Sequence, residues 1–281
     1  MRENLGDIAW SCGQFFLLAP SGEVPEGFRN AKHDPRLHRD LLAKLQRLRG
    51  EAYLDDGAID RRQVTEDGRH VVASDERSWH AVAVDDNGEV RACIRHLLHS
   101  NRTRFDDLEL KGSALARSEE WGARLAAAVR AELNRMRVAG LAAAEVGGWA
   151  LAESCRRSAL AARLPLLSYA VCRAIGAGLA LGTATVRHNS ATILRRVGGR
   201  SLESNGESLP SYFDAAYGCW MEILRFDIGQ PPAKYRDWVD FLSRQLCSVP
   251  VICPDVAPAP AEELLTPWSR PLLWDVAPAI G

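Results

Sequence analysis

The sequence predicts a mixed α/β fold built as one main domain, and three observations carry that expectation. Strand-like and helix-like patterns alternate through the middle of the chain: a helix, a strand hairpin, a second helix, a buried strand, a helix, another buried strand, a short helix and a final strand. At 281 residues the chain is long enough for one large domain with a sizeable core. The G-x-G-x-x-G and G-K-[ST] loops of nucleotide-binding folds are both absent, so the order reads as mixed rather than doubly wound.

Residues 1–30 hold a short strand at 11–18 and a turn-rich connector from Pro20 to Phe28. From Asp34 to Leu54 a helix is expected, because Leu37, Leu41, Leu45, Leu48 and Ala52 recur near the 3.6 period. Asp34 caps it, Pro35 opens it and Asp55-Asp56-Gly57 ends it. Arg49 and Tyr53 share one face of this helix; the plain alternative to a functional pair is a half-buried tyrosine packed by an arginine stem. After a polar loop at 60–70, strands are expected at 79–84 and 89–98, joined through Asp85-Asp86-Asn87-Gly88. Alternation puts Val90, Ala92, Ile94 and His96 on one side and Arg91, Cys93, Arg95 and Leu97 on the other. Arg95 lies between apolar neighbours and points toward a pocket, where a buried guanidinium needs an anionic partner. Residues 99–120 carry little periodicity, and 121–136 reads as an amphipathic helix with Leu125, Val129, Leu133 and Met136 on its stripe.

The stretch 141–165 is the centre of the pattern. An apolar strand, 141–151, runs into a helix expected to begin at Cys155, with Ser154 as cap and Arg156, Arg157 and Ser158 in the first turn. Free amides there favour an anion, whereas early arginines oppose the helix dipole, so a phosphate is one reading and a solvated helix start the other. Pro165 is expected to kink or interrupt the helix, which Gly176 and Gly178 end. Then come a buried strand at 179–186 and a short helix capped by Asn189 and closed by Gly198-Gly199. Beyond an irregular 200–216, a last strand spans 218–226 and a short helix 234–246. The domain division is therefore an N-terminal strand and connector (1–30), a main body (31–248) and an irregular Pro/Ala-rich arm (249–281). Within the arm, Trp268, Leu272, Leu273 and Trp274 are suited to pin it to the body or to a partner.

A net charge of −1 gives no general attraction to nucleic acid or to an anionic membrane. No apolar run is long enough to span a bilayer, since the longest is broken by Arg163, Pro165 and Arg173, and no signal-peptide pattern opens the sequence. Seven scattered cysteines without a C-x-x-C pair fit reduced thiols in a cytoplasmic protein, and no metal site is expected.

Glu145 is the residue hardest to explain structurally. It sits inside an apolar strand, where an unpaired carboxylate costs several kcal/mol; it must be paired, with Arg95 one candidate, or held as a general base. The adjacent Gly147-Gly148 weakens a strand interior and marks a bulge or a close ligand approach. A bulge would splay the strands and leave a slot for a thioester carbonyl near the strand end.

These residues in this order resemble the GNAT acyltransferase superfamily, and within it the N-acyl amino acid synthase and acyl-homoserine-lactone synthase branch. The phosphate signature Q/R-x-x-G-x-G/A is matched by residues 156–161, with Ala159 where the superfamily prefers glycine and Ala161 at the last position. Asn189 with Ser190, Ala191 and Thr192 loosely matches the later N-x-x-A pattern. Arg49 with Tyr53, Asp75 with Glu76, Arg95, and Glu145 look like the lactone synthases' R-x-x-x-F, acidic cluster, strand arginine and central glutamate. Gly148 replaces the arginine that follows that glutamate, which leans the resemblance toward the amino acid synthases. The stretch 212–226 also looks like the C-terminal part of those enzymes, and the likeness spans about residues 37–248.

The resemblance implies a GNAT-like, strongly twisted central sheet flanked by helices, and amide formation between an acyl thioester and an amine. Glu145 would accept the amine's proton and the backbone near Leu151 would polarise the thioester carbonyl. Arg156, Arg157, Ser158, Ala159, Ala161 and Asn189 would hold the donor's phosphopantetheine. Arg49, Tyr53, Asp75, Arg95 and Trp149 would shape the acceptor side, with Arg95 binding a carboxylate or pairing with Asp75. The implied partners are acyl-CoA or an acidic acyl carrier protein, met by Arg156, Arg157, Arg195 and Arg196, and an amino acid or small amine. The alternatives are acetyl transfer from acetyl-CoA, or a GNAT-like scaffold without catalysis.

Overall fold

Helix α1 (Pro35–Asp55) begins as its sequence directs: the Asp34 side chain accepts the Leu37 amide at 2.9 Å, with Pro35 in the first turn. The computed structural model describes residues 13–22, 24–156 and 158–254, with only the backbone of His188. Strands β1 (Gln14–Leu18) and β2 (Ala31–His33) precede α1, and the hairpin β3 (Trp79–Val84) and β4 (Val90–His99) follows it. In the hairpin turn the Asp85 carboxylate accepts the amides of Asn87 and Glu89, both at 2.9 Å. Then come α2 (Gly122–Val138), β5 (Ala142–Leu151), α3 (Leu160–Ala174), β6 (Ala177–Thr185) and α4 (Ser190–Arg196). Four short strands lead onward: β7 (Arg200–Ser201), β8 (Glu203–Ser204), β9 (Glu207–Ser208) and β10 (Tyr212–Asp214). The described chain closes with β11 (Cys219–Asp227), α5 (Arg236–Leu246) and β12 (Val251–Cys253).

The main sheet is mixed, in the order β10-β11-β6-β5-β4-β3-β1-β12-β2, with β7 added on β11, while β8 and β9 pair apart. On one face α1 packs Leu41, Leu45 and Leu48 against Val82, Cys93 and Ile252, and α2 packs Leu125, Val129 and Leu133 against Ala143, Leu179 and Leu181. On the other, Leu164, Leu167 and Val171 of α3 bury against Ala144, Ala180 and Ala184, with Val239 and Leu242 of α5 behind. The short alanines on this face let α3 approach the sheet closely. The mixed α/β architecture expected from the sequence is therefore present, a twisted central sheet flanked by helices.

Several local expectations are corrected. Helix α3 begins at Leu160, not at Cys155, because the chain between β5 and α3 is taken up by tight i→i+3 turns. Cys155 N–H donates to Ala152, Arg156 to Glu153 and Ser158 to Cys155, so Arg156 and Ser158 precede the helix and Ser154 caps nothing. Pro165 lies inside α3 and does not interrupt it. Val90 turns to the α1 side, since the β3–β4 register shifts at Ala83 and Val84. The strand at 219–227 is not the last: β12, from the stretch expected to be irregular, inserts between β1 and β2. The amides of Leu17 and Ala19 donate to the carbonyls of Pro250 and Ile252, both at 3.0 Å, and Leu17, Leu18 and Val251 are fully buried. Residues 255–281, with Trp268, Leu272, Leu273 and Trp274, lie outside the described residues.

Candidate functional site

Strands β5 and β6 run parallel and pair only from Ala142 to Glu145 against Ala177 to Leu181. Beyond that point each keeps its outer partner: β5 stays on β4 as far as Leu151, and β6 on β11 as far as Thr185. The two central strands therefore splay beside Glu145 and leave their inner peptide groups facing a gap. The cause is local. Arg95 pairs with Gly147 while Cys93 pairs with Ala150, so β5 carries one extra residue, with Gly148 at φ +61. A side chain at Gly148 would also meet the Arg49 guanidinium at 3.2 Å and the Arg95 Cβ at 3.3 Å. The paired glycines thus supply both the bulge and the room for two guanidinium groups.

A cavity of about 460 Å³ opens at this splay, lined from α1 by Arg49 and Tyr53, from β4 by Arg95, from β5 by Glu145 to Gly148 and from β6 by Leu181 to Thr183. Glu109, Leu110, Tyr212, Asp214, Tyr217 and Met221 close its other sides. Arg49 is 1% exposed and makes a two-pronged ion pair with Asp75, Nη1 at 2.8 Å and Nη2 at 2.5 Å, and Nη2 also donates to the His70 carbonyl at 2.7 Å. Burial alone would discharge both partners; their mutual attraction overrides it, holding the Asp75 carboxyl below and the Arg49 guanidinium above their usual ranges. Arg95 does not pair with Asp75 or with Glu145, as the sequence suggested it could, but with Glu109 at 2.5 Å, and it also donates to Ser74. Asp75 is unavailable to Arg95 because Arg49 already occupies both its oxygens.

Glu145 is 7% exposed and its carboxylate accepts three hydrogen bonds: from His99 Nε2 at 2.8 Å, the Glu109 amide at 2.8 Å and the Leu110 amide at 2.7 Å. These bonds tie the turn Glu109–Gly112 to β5 and account for a charge inside an apolar strand. One acceptor position of the carboxylate is left, on a residue that lines the cavity. Tyr53 is half-buried; burial raises its phenol well above the ordinary value, so it is a neutral donor.

The remaining sequence candidates lie apart from this cavity. The bulge turns Trp149 to the α3 side, where it packs in the core with its indole Nε1 buried and unbonded among the described residues. Leu151 ends β5, and its carbonyl accepts from Arg156 at 3.4 Å. Arg156 also pairs with Asp55 at 3.5 Å and Asp56 at 3.9 Å, at the end of α1. Arg157 falls outside the described residues. The Ser158 hydroxyl accepts the Leu160 amide at 3.2 Å, and the amides of Ala161 and Ala162 bond Ser158 and Ala159 carbonyls, so this first turn is already satisfied internally. Asn189 takes φ +62 and is exposed, without a side-chain cap. Arg195 is held by Glu222 at 2.7 Å, and Arg196 is exposed.

Sequence reasoning missed Glu109, His99, His70, Asp214 and Tyr217. Two of these were within reach of strand periodicity: His99 continues the Cys93, Arg95, Leu97 face, and Tyr212 and Asp214 alternate with the exposed Phe213 on β10. Glu109 and His70 sit in segments without period, where no pattern marks them. Among the described residues no group of three His, Cys, Asp or Glu is placed to hold a metal ion, and no helix is long and apolar enough to cross a membrane.

The fold matches solved structures. A CoA-dependent acyl-homoserine lactone synthase, BjaI, solved with SAM and isopentyl-CoA, matches with a TM-score of 0.52 at 16% identity, over 88% of this chain and 94% of BjaI. TofI, solved in a ternary complex with an inhibitor and MTA, matches with a TM-score of 0.50 at 15% identity, over 83% of this chain and all of TofI. At these identities the likeness is one of fold. No protein-family model matches the chain, and no curated protein matches it in sequence.

Proposed function

We propose that this protein is an N-acyltransferase that moves an acyl group from a phosphopantetheine thioester, on CoA or an acyl carrier protein, to a small amine in the cytoplasm. The observation that carries the reading is the splay of β5 from β6 beside Glu145, opening into the cavity. Strand edges without partners offer hydrogen bonds to the amides of a pantetheine arm. The shared fold of BjaI, whose structure holds isopentyl-CoA, supports this reading. Arg156 stands at the end of β5 in long, half-exposed ion pairs that a donor phosphate can replace.

In the reaction the neutral amine nitrogen attacks the thioester carbonyl, the C–N bond forms and the C–S bond breaks. The proton lost by nitrogen passes through water to the free acceptor position of Glu145 and finally to the departing thiolate. Backbone amides of the β5 edge stabilise the oxyanion. The cavity takes both the acyl chain and the acceptor, with Leu110, Val146, Leu181 and Met221 giving it apolar wall.

The test is mass detection of products from the purified protein given acyl-CoA or acyl carrier protein, of short and long chain, with a panel of amines. An N-acylated product whose formation releases one thiol per amide is expected. Thiol release without any amide, or no turnover with either carrier, overturns the reading.

A further inference from the structure

Three of the four carboxylates at the cavity are accounted for. Asp75, behind Arg49, is saturated by it; Glu109 holds Arg95; Glu145 is bonded by His99 and two backbone amides. Asp214 is not. It is 8% exposed and lines the cavity, and among the described residues its carboxylate has one hydrogen bond, from the Ala216 amide to Oδ1 at 2.9 Å. No cationic side chain among the described residues pairs with it. A carboxylate so far removed from water requires a positive partner. Tyr212, beside it on β10, and Tyr217 also line the cavity; burial first, and the Asp214 charge second, raise both phenols, so they stay neutral beside it. Aromatic rings around a lone carboxylate suit an ammonium group.

Among the described residues the same cavity offers no unpaired cation. Both guanidinium groups that line it, Arg49 and Arg95, are already engaged by carboxylates, so neither is free to receive the carboxylate of an α-amino acid. We infer that the acceptor is a diamine: one nitrogen reacts at the gap beside Glu145, and the other, as an ammonium, is held by Asp214. The inference rests on the acyltransferase reading for its first half only. Sheet order fits two separate nitrogens, because β10 lies three strands from β5, about 14 Å between backbones at the usual spacing. A ligand touching both sites must therefore carry several carbons between its nitrogens.

The experiment compares 1,5-diaminopentane, pentylamine and norleucine, by calorimetric binding to the whole protein and as acceptors with acyl-CoA. Wild type should bind the diamine at least about tenfold tighter than either competitor. Asp214→Asn keeps the Oδ1 acceptor for Ala216 and should lose that preference. Equal wild-type affinities, a preference for norleucine, or undiminished diamine preference in a folded Asp214→Asn protein overturns the inference; the wild-type comparison decides it if the variant does not fold. Diamine binding through Asp214 with no amide product leaves the cation site standing and removes the acyltransferase reading. Amide formation on norleucine, indifferent to Asp214, does the reverse.

Discussion

At the scale of single residues, Glu145 shows how a catalytic candidate doubles as a structural tether. Its two oxygens face the amides of Leu110 and Glu109, so a glutamine there must turn its NH₂ toward one backbone N–H whichever way it is oriented. Glu145→Gln is therefore expected to lower unfolding free energy by about 1–3 kcal/mol, read from urea denaturation, as well as to slow transfer. A variant as stable as wild type would show that these amides do not depend on the carboxylate. The sequence singled out Glu145 because a charge in an apolar strand needs an explanation. It could not name the partners, since Glu109 and Leu110 come from a turn without periodicity. Arg95 was legible as a buried cation and Arg49 only as the neighbour of Tyr53, and the pairing of neither was: which carboxylate reaches which arginine is decided by the bulge and by the segments 70–75 and 109–112.

At the scale of elements, what the sequence made plain was whatever has a period or a cap. The helix after Asp34, the hairpin through Gly88 and the strand 142–151 all lie where alternation and turn chemistry place them. The glycine pair announced the bulge, and Gly148 at φ +61 is its physical basis. The start of α3 was not legible, because successive tight turns from Ala152 to Ser158 use the same short polar residues that cap helices. β12 was missed for a different reason. Three residues carry no periodicity, and their place in the sheet is fixed only by β1 and β2 on either side.

At the scale of the whole molecule, two buried histidines tie stability to pH. His80 bonds the Asp75 carbonyl and His96 the Ser168 hydroxyl, and burial lowers their pKa values to about 4 and about 3. In the unfolded chain the same imidazoles take up protons near the ordinary value of about 6.5. Stability is thus full above that value and falls as pH drops from there toward 4, because only the unfolded chain gains protons in that window. The depressed carboxylates Asp75 and Glu109 add their own loss lower, from the ordinary carboxylate range downward, where the unfolded chain takes up protons first. The urea midpoint should decline between pH 7 and 5; a flat profile there would contradict the burial of neutral histidines.

The gap between β5 and β6 is the feature on which the functional account stands, and a crystal structure with a non-cleavable thioether analogue of an acyl-CoA tests it most directly. The account predicts the sulfur between residues 146–151 of β5 and 182–185 of β6, with the acyl chain in the cavity beside Glu145. An analogue bound elsewhere, with that gap left empty, would contradict it.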